Sequence, residues 1–175
     1  MFISNFLLGG GISFAGGNGL RIKRNQLLGT IPRLGKVFDI SFSVKVTKWI
    51  PRWTNILHMT IGGNNARYGS RIPGIFVKPS YGPYNNFKIC YAVMGIRNWC
   101  YHSPNYHLNK WVNIRIQQVR SGRYYWYNIY MNGQRKLHRK NTRPRVFHNV
   151  KLYAGDPWYS ALPGFIKNIR VGVTG

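Results

Sequence analysis

The clearest signal in the sequence is a strict alternation of apolar and polar residues over residues 37–47. A period of two is typical of a β-strand with one buried face. The pattern therefore predicts a half-buried antiparallel strand. Its apolar face holds Phe38, Ile40, Phe42, Val44 and Val46, and its polar face holds Asp39, Ser41, Ser43, Lys45 and Thr47.

The same period recurs in three further segments, at residues 53–61, 111–119 and 168–173. Gly, Pro and Asn clusters bound these segments, and no segment shows the periodicity of an amphipathic helix. Ten to twelve short strands without helices predict an all-β fold, an antiparallel sandwich or jelly roll, in one domain over residues 1–175. The expected apolar sets are Leu57, Met59 and Ile61, then Val112, Ile114 and Ile116, then Ile169, Val171 and Val173.

Two hairpin turns can be placed from local residue chemistry. Asn132-Gly133 suits a type I′ turn, because both residues tolerate a positive φ. Gly95 lies midway between Cys90 and Cys100, so a hairpin turning there would bring the two cysteines opposite each other. Either a disulfide or two separate buried thiols fits this spacing.

The apolar N-terminal stretch, residues 1–17, fits either a signal peptide or a first β-strand. It lacks the basic start of a signal peptide and is rich in glycine, so we expect a strand and a secretion signal that has already been removed. No run of 18 apolar residues occurs, and no transmembrane segment is predicted.

The charge balance changes the picture of the surface. The chain has 26 Lys and Arg against two Asp and no Glu, a net charge of +24. Two origins fit this depletion: a natural basic surface, or a sequence in which acidic residues have been replaced. A natural surface of this kind repels itself, and an anionic partner such as a nucleic acid, a sulfated glycan, an anionic lipid or an acidic matrix would offset the repulsion.

The densest basic segment is residues 135–145. On a strand its side chains divide between two faces, so only part of the segment can form one continuous patch. One interpretation is a polyanion-binding strip, and the other is an edge strand whose charges prevent edge-to-edge pairing. The candidate residues are Arg135, Lys136, Arg139, Lys140, Arg143 and Arg145.

Residues 124–130 are the most aromatic stretch. One face of this strand should lie in the core, and the other is a candidate platform for stacking sugar rings or bases, unless a loop or a neighbouring subunit covers it. The candidate stacking residues are Tyr124, Trp126 and Tyr130.

Two carboxylates leave little room for catalysis or metal binding. Glycoside hydrolysis needs a carboxylate pair about 5–10 Å apart, and Asp39 on a strand face is not expected to meet Asp156 in a Gly-Asp-Pro turn. Calcium needs several carboxylates, and the spacing of Cys90, Cys100, His102 and His107 matches no standard zinc module. We expect no catalytic residues, no metal and no cofactor.

Asp156 is assigned to turn chemistry. An Asp before a proline can accept hydrogen bonds from backbone N–H groups two residues on, so we expect Asp156, Pro157 and Trp158 to form a structural turn. His58 falls on the polar face of its expected strand. We predict a surface or cross-strand histidine there, because no acid is free to orient it.

Several stretches resemble a known family. They are LGTIPRLGKVFDISFSVKV, WTNILHMTIGGNNARYGSRIPGIFV, WVNIRIQQ, YYWYNIYMNGQ and NVKLYAGDPWYSALPGFIKNI, within about residues 28–171. Together they resemble the laminin-G-like, concanavalin-A-like jelly-roll domains of extracellular and skeletal-matrix proteins from cnidarians and other marine invertebrates. The resemblance implies a secreted, non-catalytic module. Ser70 stands where those relatives typically have an acidic residue, which argues against a calcium-binding role for that loop.

The function expected from these features is a non-enzymatic extracellular module. It would build a matrix or filament by self-association, aided by exposed aromatic patches, or bind glycans as a lectin does. The alternative is a binder of polyanions, either sulfated glycans or nucleic acid, through residues 135–145. Nucleic acid is the weaker partner because no recognised nucleic-acid-binding module is present. A membrane-active protein would require a displayed belt of aromatic and cationic residues.

Overall fold

The computed structural model describes residues 5–7, 11–95 and 97–174, so part of the N-terminal stretch predicted as a strand lies outside the described residues. Within these ranges the chain forms fifteen β-strands and no helix, and therefore no helix that could cross a membrane. The strands are β1 (Asn5–Leu7), β2 (Gly11–Ala15), β3 (Leu20–Arg21), β4 (Leu27–Leu34), β5 (Val37–Val46), β6 (Thr54–Thr60), β7 (Gly74–Val77), β8 (Tyr84–Met94), β9 (Arg97–His107), β10 (Trp111–Ser121), β11 (Tyr124–Met131), β12 (Gln134–Asn141), β13 (Phe147–Tyr153), β14 (Ser160–Ala161) and β15 (Gly164–Thr174).

The strands form two sheets that pack as a sandwich. The eight-stranded sheet has the order β1-β2-β15-β5-β10-β11-β12, with β3 also paired to β15. The seven-stranded sheet has the order β4-β13-β6-β7-β8-β9, with β14 also paired to β6. Every pairing is antiparallel except the short parallel contact of β14 with β6. The predicted all-β antiparallel sandwich is confirmed.

The alternation read from the sequence describes the eight-stranded sheet well. On β5 the side chains of Phe38, Ile40, Phe42, Val44 and Val46 are buried, and on β10 the buried set is Val112, Ile114 and Ile116. Apolar burial of this kind contributes about 25 cal/mol per Å² of surface removed from water. The polar faces of both strands form the outer surface of the sheet.

Strand β6 departs from the predicted pattern. All seven of its residues, including His58, are buried, whereas Ile61, which the alternation placed in the core, lies beyond the strand and is 46% exposed. The prediction of a half-exposed strand was wrong because residues 154–159 fold over the outer side of β6. The side chains of Asn55 and His58 therefore have protein partners and not water.

Both predicted hairpins are present. Asn132 and Gly133 have positive φ angles of 49° and 79° and connect β11 to β12. Gly95, with φ of 79°, turns β8 into β9, and Cys90 lies directly opposite Cys100. The two cysteines form a disulfide with their Cα atoms 4.0 Å apart. The two-thiol reading of the spacing does not describe this structure.

The inward face of β11 contains a fully buried tyrosine. The ring of Tyr127 stacks on that of Tyr91, with centroids 4.3 Å apart, and its hydroxyl has no hydrogen-bond partner. Burial raises the pKa of Tyr127 well above its usual value, and the neighbouring Tyr91 adds to the effect. A buried hydroxyl without a partner costs about 1–3 kcal/mol.

We therefore expect Tyr127→Phe to raise the free energy of unfolding by about 1 kcal/mol at pH 7. Because the pKa of Tyr127 is raised in the folded state, the unfolded chain ionises at a lower pH than the folded protein. The native protein therefore keeps its full stability below about pH 10 and loses stability as the pH rises further. The variant should lose less stability than the native protein between pH 9 and pH 11. Urea denaturation at each pH measures both effects.

The matched control is Tyr81→Phe, because Tyr81 is 88% exposed. It should change neither the stability at pH 7 nor its alkaline dependence. A less stable Tyr127→Phe variant would show that the hydroxyl has a stabilising partner.

Candidate functional site

The basic segment 135–145 divides between strand β12 and the loop that follows it. Lys136 donates a hydrogen bond to Gln134, 2.8 Å away, and Arg145 lies over the ring of Tyr68 at 4.9 Å. Arg135 lies opposite Tyr130, near the hairpin turn. Only Arg139, Lys140 and Arg143 converge on one concave surface. The structure thus brings together three of the six candidate residues.

These three residues line a cleft of about 400 Å³ against the β8–β9 hairpin. We name this surface the basic cleft. The guanidinium carbon of Arg139 lies 4.0 Å from the centroid of the Trp99 ring, and Trp99 is 36% exposed. Arg139 therefore covers an indole that is partly accessible, and Arg97, Lys140 and Arg143 line the same cleft. The lining residues are Met94, Gly95, Arg97, Trp99, Arg139, Lys140, Thr142 and Arg143.

The basic cleft continues into a neighbouring depression of about 390 Å³, which shares Lys140 and Thr142 with it. There the ammonium nitrogen of Lys140 lies 3.4 Å from the centroid of the Tyr124 ring, and Arg123 covers the same ring at 5.0 Å. Contacts of a cation with a ring face are worth about 0.5–2 kcal/mol. They fix the positions of long side chains that have no carboxylate to pair with.

Two features hold the walls of the basic cleft in place. The Cys90–Cys100 disulfide joins β8 to β9 next to Trp99. Asn141, at the end of β12, is buried, and its side-chain amide donates to Val93 O at 2.8 Å and to Gln118 Oε1 at 2.7 Å. Asn141 thereby connects β12 to both sheets, because Val93 belongs to β8 and Gln118 to β10.

The proposed stacking residues have different surroundings. Tyr124 lies in the depression beside the basic cleft. Trp126 is stacked on His138 with ring centroids 4.2 Å apart and planes 8° apart, so one face of its ring is occupied. Tyr130 directs its hydroxyl toward Gln117 Oε1 at 3.4 Å. The three residues do not form one open platform, because His138 and Lys140 of β12 cover the rings of Trp126 and Tyr124, and Tyr130 is hydrogen-bonded to Gln117 of β10.

Asp39 forms an ion pair with Arg115 on the outer face of the eight-stranded sheet. Arg115 donates to both of its carboxylate oxygens, from Nε at 3.1 and 2.9 Å, and Gln117 donates to it at 3.3 Å. The hydrogen bond to Asp39 raises the pKa of Arg115. Asp39 lies in the eight-stranded sheet, and Asp156 follows β13 of the other sheet, so the two carboxylates do not form a pair.

Asp156 has two roles, and one of them was missed from the sequence. Its Oδ1 accepts from the backbone N–H groups of Trp158 and Tyr159 at 3.1 and 2.8 Å, which is the expected turn chemistry. Its Oδ2 lies 2.8 Å from Nδ1 of His58, and both side chains are fully buried. The prediction of a surface histidine without an acid was wrong.

Both ring nitrogens of His58 have a hydrogen-bond partner. Nε2 donates to the backbone oxygen of Ser70, 2.7 Å away, and Nδ1 is hydrogen-bonded to the carboxyl group of Asp156. The rings of Phe76 and Trp158 pack edge-on against the imidazole. The two side chains form a fully buried hydrogen-bonded pair that joins β6 to the turn after β13.

The residues that sequence reasoning missed are Arg97 and Trp99 in the basic cleft and Arg123 in the neighbouring depression. Arg97 and Trp99 lie just after the predicted turn at Gly95, so the paired cysteines were a usable signal. The missing information was that β9 and β12, the last strands of the two sheets, lie at the same edge of the sandwich. Strands 40 residues apart in the chain carry no local sequence signal of that proximity.

We expect Asp156→Ala to lower the free energy of unfolding by about 3–5 kcal/mol, because it leaves Nδ1 of the buried His58 and the backbone N–H groups of Trp158 and Tyr159 without their partner. Asp156→Asn keeps an oxygen for the turn and should cost less. Asp39→Ala removes a partly exposed ion pair and should cost about 1 kcal/mol or less. Urea denaturation of the three variants measures the order, and equal costs for the two alanine variants would contradict the structural role of the buried His58–Asp156 pair.

No protein-family model and no curated protein matches the sequence. Among solved structures, the heptameric SAP-like pentraxin of Limulus polyphemus matches with a TM-score of 0.51 and 12% identity over 93% of this chain and 72% of the pentraxin chain. The enzymatically active domain of tailspike protein 2 from bacteriophage CBA120 matches with a TM-score of 0.54 and 9% identity, over 99% of this chain and 31% of that chain.

The sialidase of Trypanosoma rangeli, solved in complex with sialic acid, matches with a TM-score of 0.54 and 12% identity, over 98% of this chain and 26% of its own. This chain thus spans only 26–31% of the sialidase and tailspike chains. At these identities the likeness shows the fold alone, which is a jelly-roll sandwich of the concanavalin-A-like kind.

Proposed function

We propose that this domain is a non-catalytic extracellular module that binds an acidic glycan in the basic cleft. The observation that carries the proposal is that Arg97, Arg139, Lys140 and Arg143 line the cleft that contains Trp99, while both Asp side chains are engaged elsewhere. No side-chain carboxylate neutralises these cations from within the chain. An external anion would therefore meet three guanidinium groups in the cleft, with the ammonium group of Lys140 at its border over Tyr124.

The chemistry of the basic cleft favours a sugar polymer with sulfate or carboxylate groups. Guanidinium groups bind such oxyanions through two parallel hydrogen bonds, and Arg97, Arg139 and Arg143 supply three of them. The exposed part of Trp99 offers flat apolar surface to the face of a sugar ring. A ligand that combines rings with anionic groups uses both parts of the site.

We extend the proposal to an extracellular, matrix-associated location for this domain. A disulfide suits an oxidising compartment, and the sequence resembles laminin-G-like matrix domains. With a net charge of +24, copies of this domain repel one another in the absence of a counter-charge. Assembly would therefore depend on an anionic polymer that brings several copies together.

Nucleic acid is the competing polyanion, since stacking rings and cations also suit a single strand. The basic cleft holds one exposed indole and a covered tyrosine ring, which is little stacking surface for successive bases. Side-by-side titration with a sulfated oligosaccharide and with single-stranded DNA of equal charge separates the two ligands. Tighter binding of the DNA would overturn the glycan assignment.

We expect the double substitution Arg139→Gln and Lys140→Gln to weaken binding of a heparin-derived oligosaccharide at least about tenfold, because two charge-assisted contacts are lost. The slope of log affinity against log salt concentration should fall by about 1.5. Isothermal titration at four sodium chloride concentrations measures both quantities. Unchanged affinity together with unchanged stoichiometry would show that the basic cleft is not the site.

The matched control is Arg33→Gln with Lys151→Gln, which removes the same charge from exposed positions on strands β4 and β13 of the other sheet. It should leave most of the affinity intact. An equal loss in both variants would mean that net charge alone governs binding.

A further inference from the structure

A second group of cations and rings lies on the outer face of the eight-stranded sheet, far from the basic cleft. The strand register aligns Arg21 with Phe165, Phe165 with Lys45, and Lys45 with Trp111. These four residues come from β3, β15, β5 and β10, and they form a straight row that alternates cation and ring. We name them, together with Lys167, the cation–aromatic row.

The contacts within the row are close. Arg21 lies over the Phe165 ring at 4.9 Å, and Lys45 lies 5.0 Å from the Trp111 ring and 5.6 Å from the Phe165 ring. Lys167 covers Trp111 at 4.1 Å. Each cation is thus held by a ring and not by a carboxylate. The arrangement fixes three positive charges on a flat face without neutralising them.

The dimensions of the row suit an extended chain. Four neighbouring strands at a spacing of about 4.8 Å span about 14 Å, and Arg21 and Lys45, two strands apart, lie about 10 Å from each other. Asp39 is on the same face, but it is six residues from Lys45 along β5, about 20 Å away, and it is bonded to Arg115. No side-chain carboxylate is close to the row.

A cavity lies beside the row. It has a volume of about 300 Å³ and is lined by residues 14–20, which include three glycines. Gly19 has φ of +83°, and the position where a Cβ would stand is 3.5 Å from the Trp111 ring. The glycine-rich loop therefore packs against Trp111, and its cavity opens next to the row. A ligand on the row can place a substituent there.

We infer that the cation–aromatic row is a second binding site for an acidic polysaccharide, and that the domain bridges two polysaccharide segments. This inference rests on the proposed function of the basic cleft. Trp111 and Val119 are eight residues apart on β10, about 27 Å. Val119 lies opposite Trp126, which in turn lies opposite Lys140 of the basic cleft. A short oligosaccharide cannot reach both sites, so each site takes its own.

An anionic lipid surface is the other polyanion that a flat cationic face can meet. Its binding would require the rings to enter the lipid. In the row, Lys45 lies over the rings of Trp111 and Phe165, and Lys167 also lies over Trp111. Rings that entered a lipid layer would carry these charged groups with them. The observations therefore favour a polysaccharide.

The test is the stoichiometry of a heparin-derived tetrasaccharide, measured by isothermal titration. The native protein should bind two molecules, and Lys45→Gln with Lys167→Gln should bind one, with unchanged affinity at the remaining site. Arg139→Gln with Lys140→Gln should also bind one, and the combined variant none. Arg33→Gln with Lys151→Gln should keep two. Circular dichroism melting confirms that each variant is folded.

The outcomes separate the two proposals. A stoichiometry of one that the Lys45 and Lys167 substitutions do not change would overturn the second site and leave the basic cleft standing. No tetrasaccharide binding at all would overturn both. Binding to phosphatidylserine vesicles that these two substitutions abolish, with tetrasaccharide stoichiometry unchanged, would assign the row to lipid instead.

Bridging has its own readout. Long heparin chains mixed with the native protein should give turbidity that passes through a maximum as the ratio of protein to chain rises. Either double variant should remove that maximum, because a single-site protein coats a chain without joining it to another. Turbidity equal to the native protein in both variants would refute bridging.

Discussion

The buried hydrogen bond between His58 and Asp156 is the contact on which the seven-stranded sheet depends. It fastens the turn after β13 over the outer side of β6, where Asp156 N–H also donates to Asn55 Oδ1 at 2.9 Å. The same turn needs a glycine at 155, because a Cβ there would stand 2.1 Å from Lys23 O. Burying polar groups is costly unless they are hydrogen-bonded, and here His58 also contacts Ser70 O while Asp156 also accepts from two backbone N–H groups. Distant chain segments thus meet at one buried polar contact.

The shortage of carboxylates shapes the surface in a different way. Soluble domains pair many of their cations with acids, whereas here Asp39 and Asp156 are both committed and most Lys and Arg side chains have no acid to meet. At both proposed sites the cations contact aromatic rings instead of acids, as Arg139 does with Trp99 and Lys45 with Trp111. A ring holds a cation in position but leaves its charge intact. The surface is therefore ordered and still strongly attractive to anions.

The sequence predicted those features that depend on neighbours in the chain. The alternation in β5 and β10 and the turns at Gly95 and Asn132-Gly133 follow from local periodicity and φ preference, and all are present. The burial of His58 could not be predicted, because its partner is 98 residues away and an alternating polar residue normally faces water. The cation–aromatic row draws on four strands from distant parts of the sequence. Only the sheet order, which no local pattern encodes, brings them into line.

The position of tryptophan in the two sites has an optical consequence. Trp99 supports Arg139 in the basic cleft, and Trp111 supports Lys45 and Lys167 in the row, whereas Trp126 and Trp158 contact histidine rings elsewhere. An anion that draws a cation away from an indole face alters the electric field at that ring. Each site therefore contains its own intrinsic fluorophore. Replacing Trp99 or Trp111 in turn by phenylalanine, and comparing the ligand-induced change in emission with that of the native protein, would separate the signal of each site from that of the other tryptophans, without any attached label.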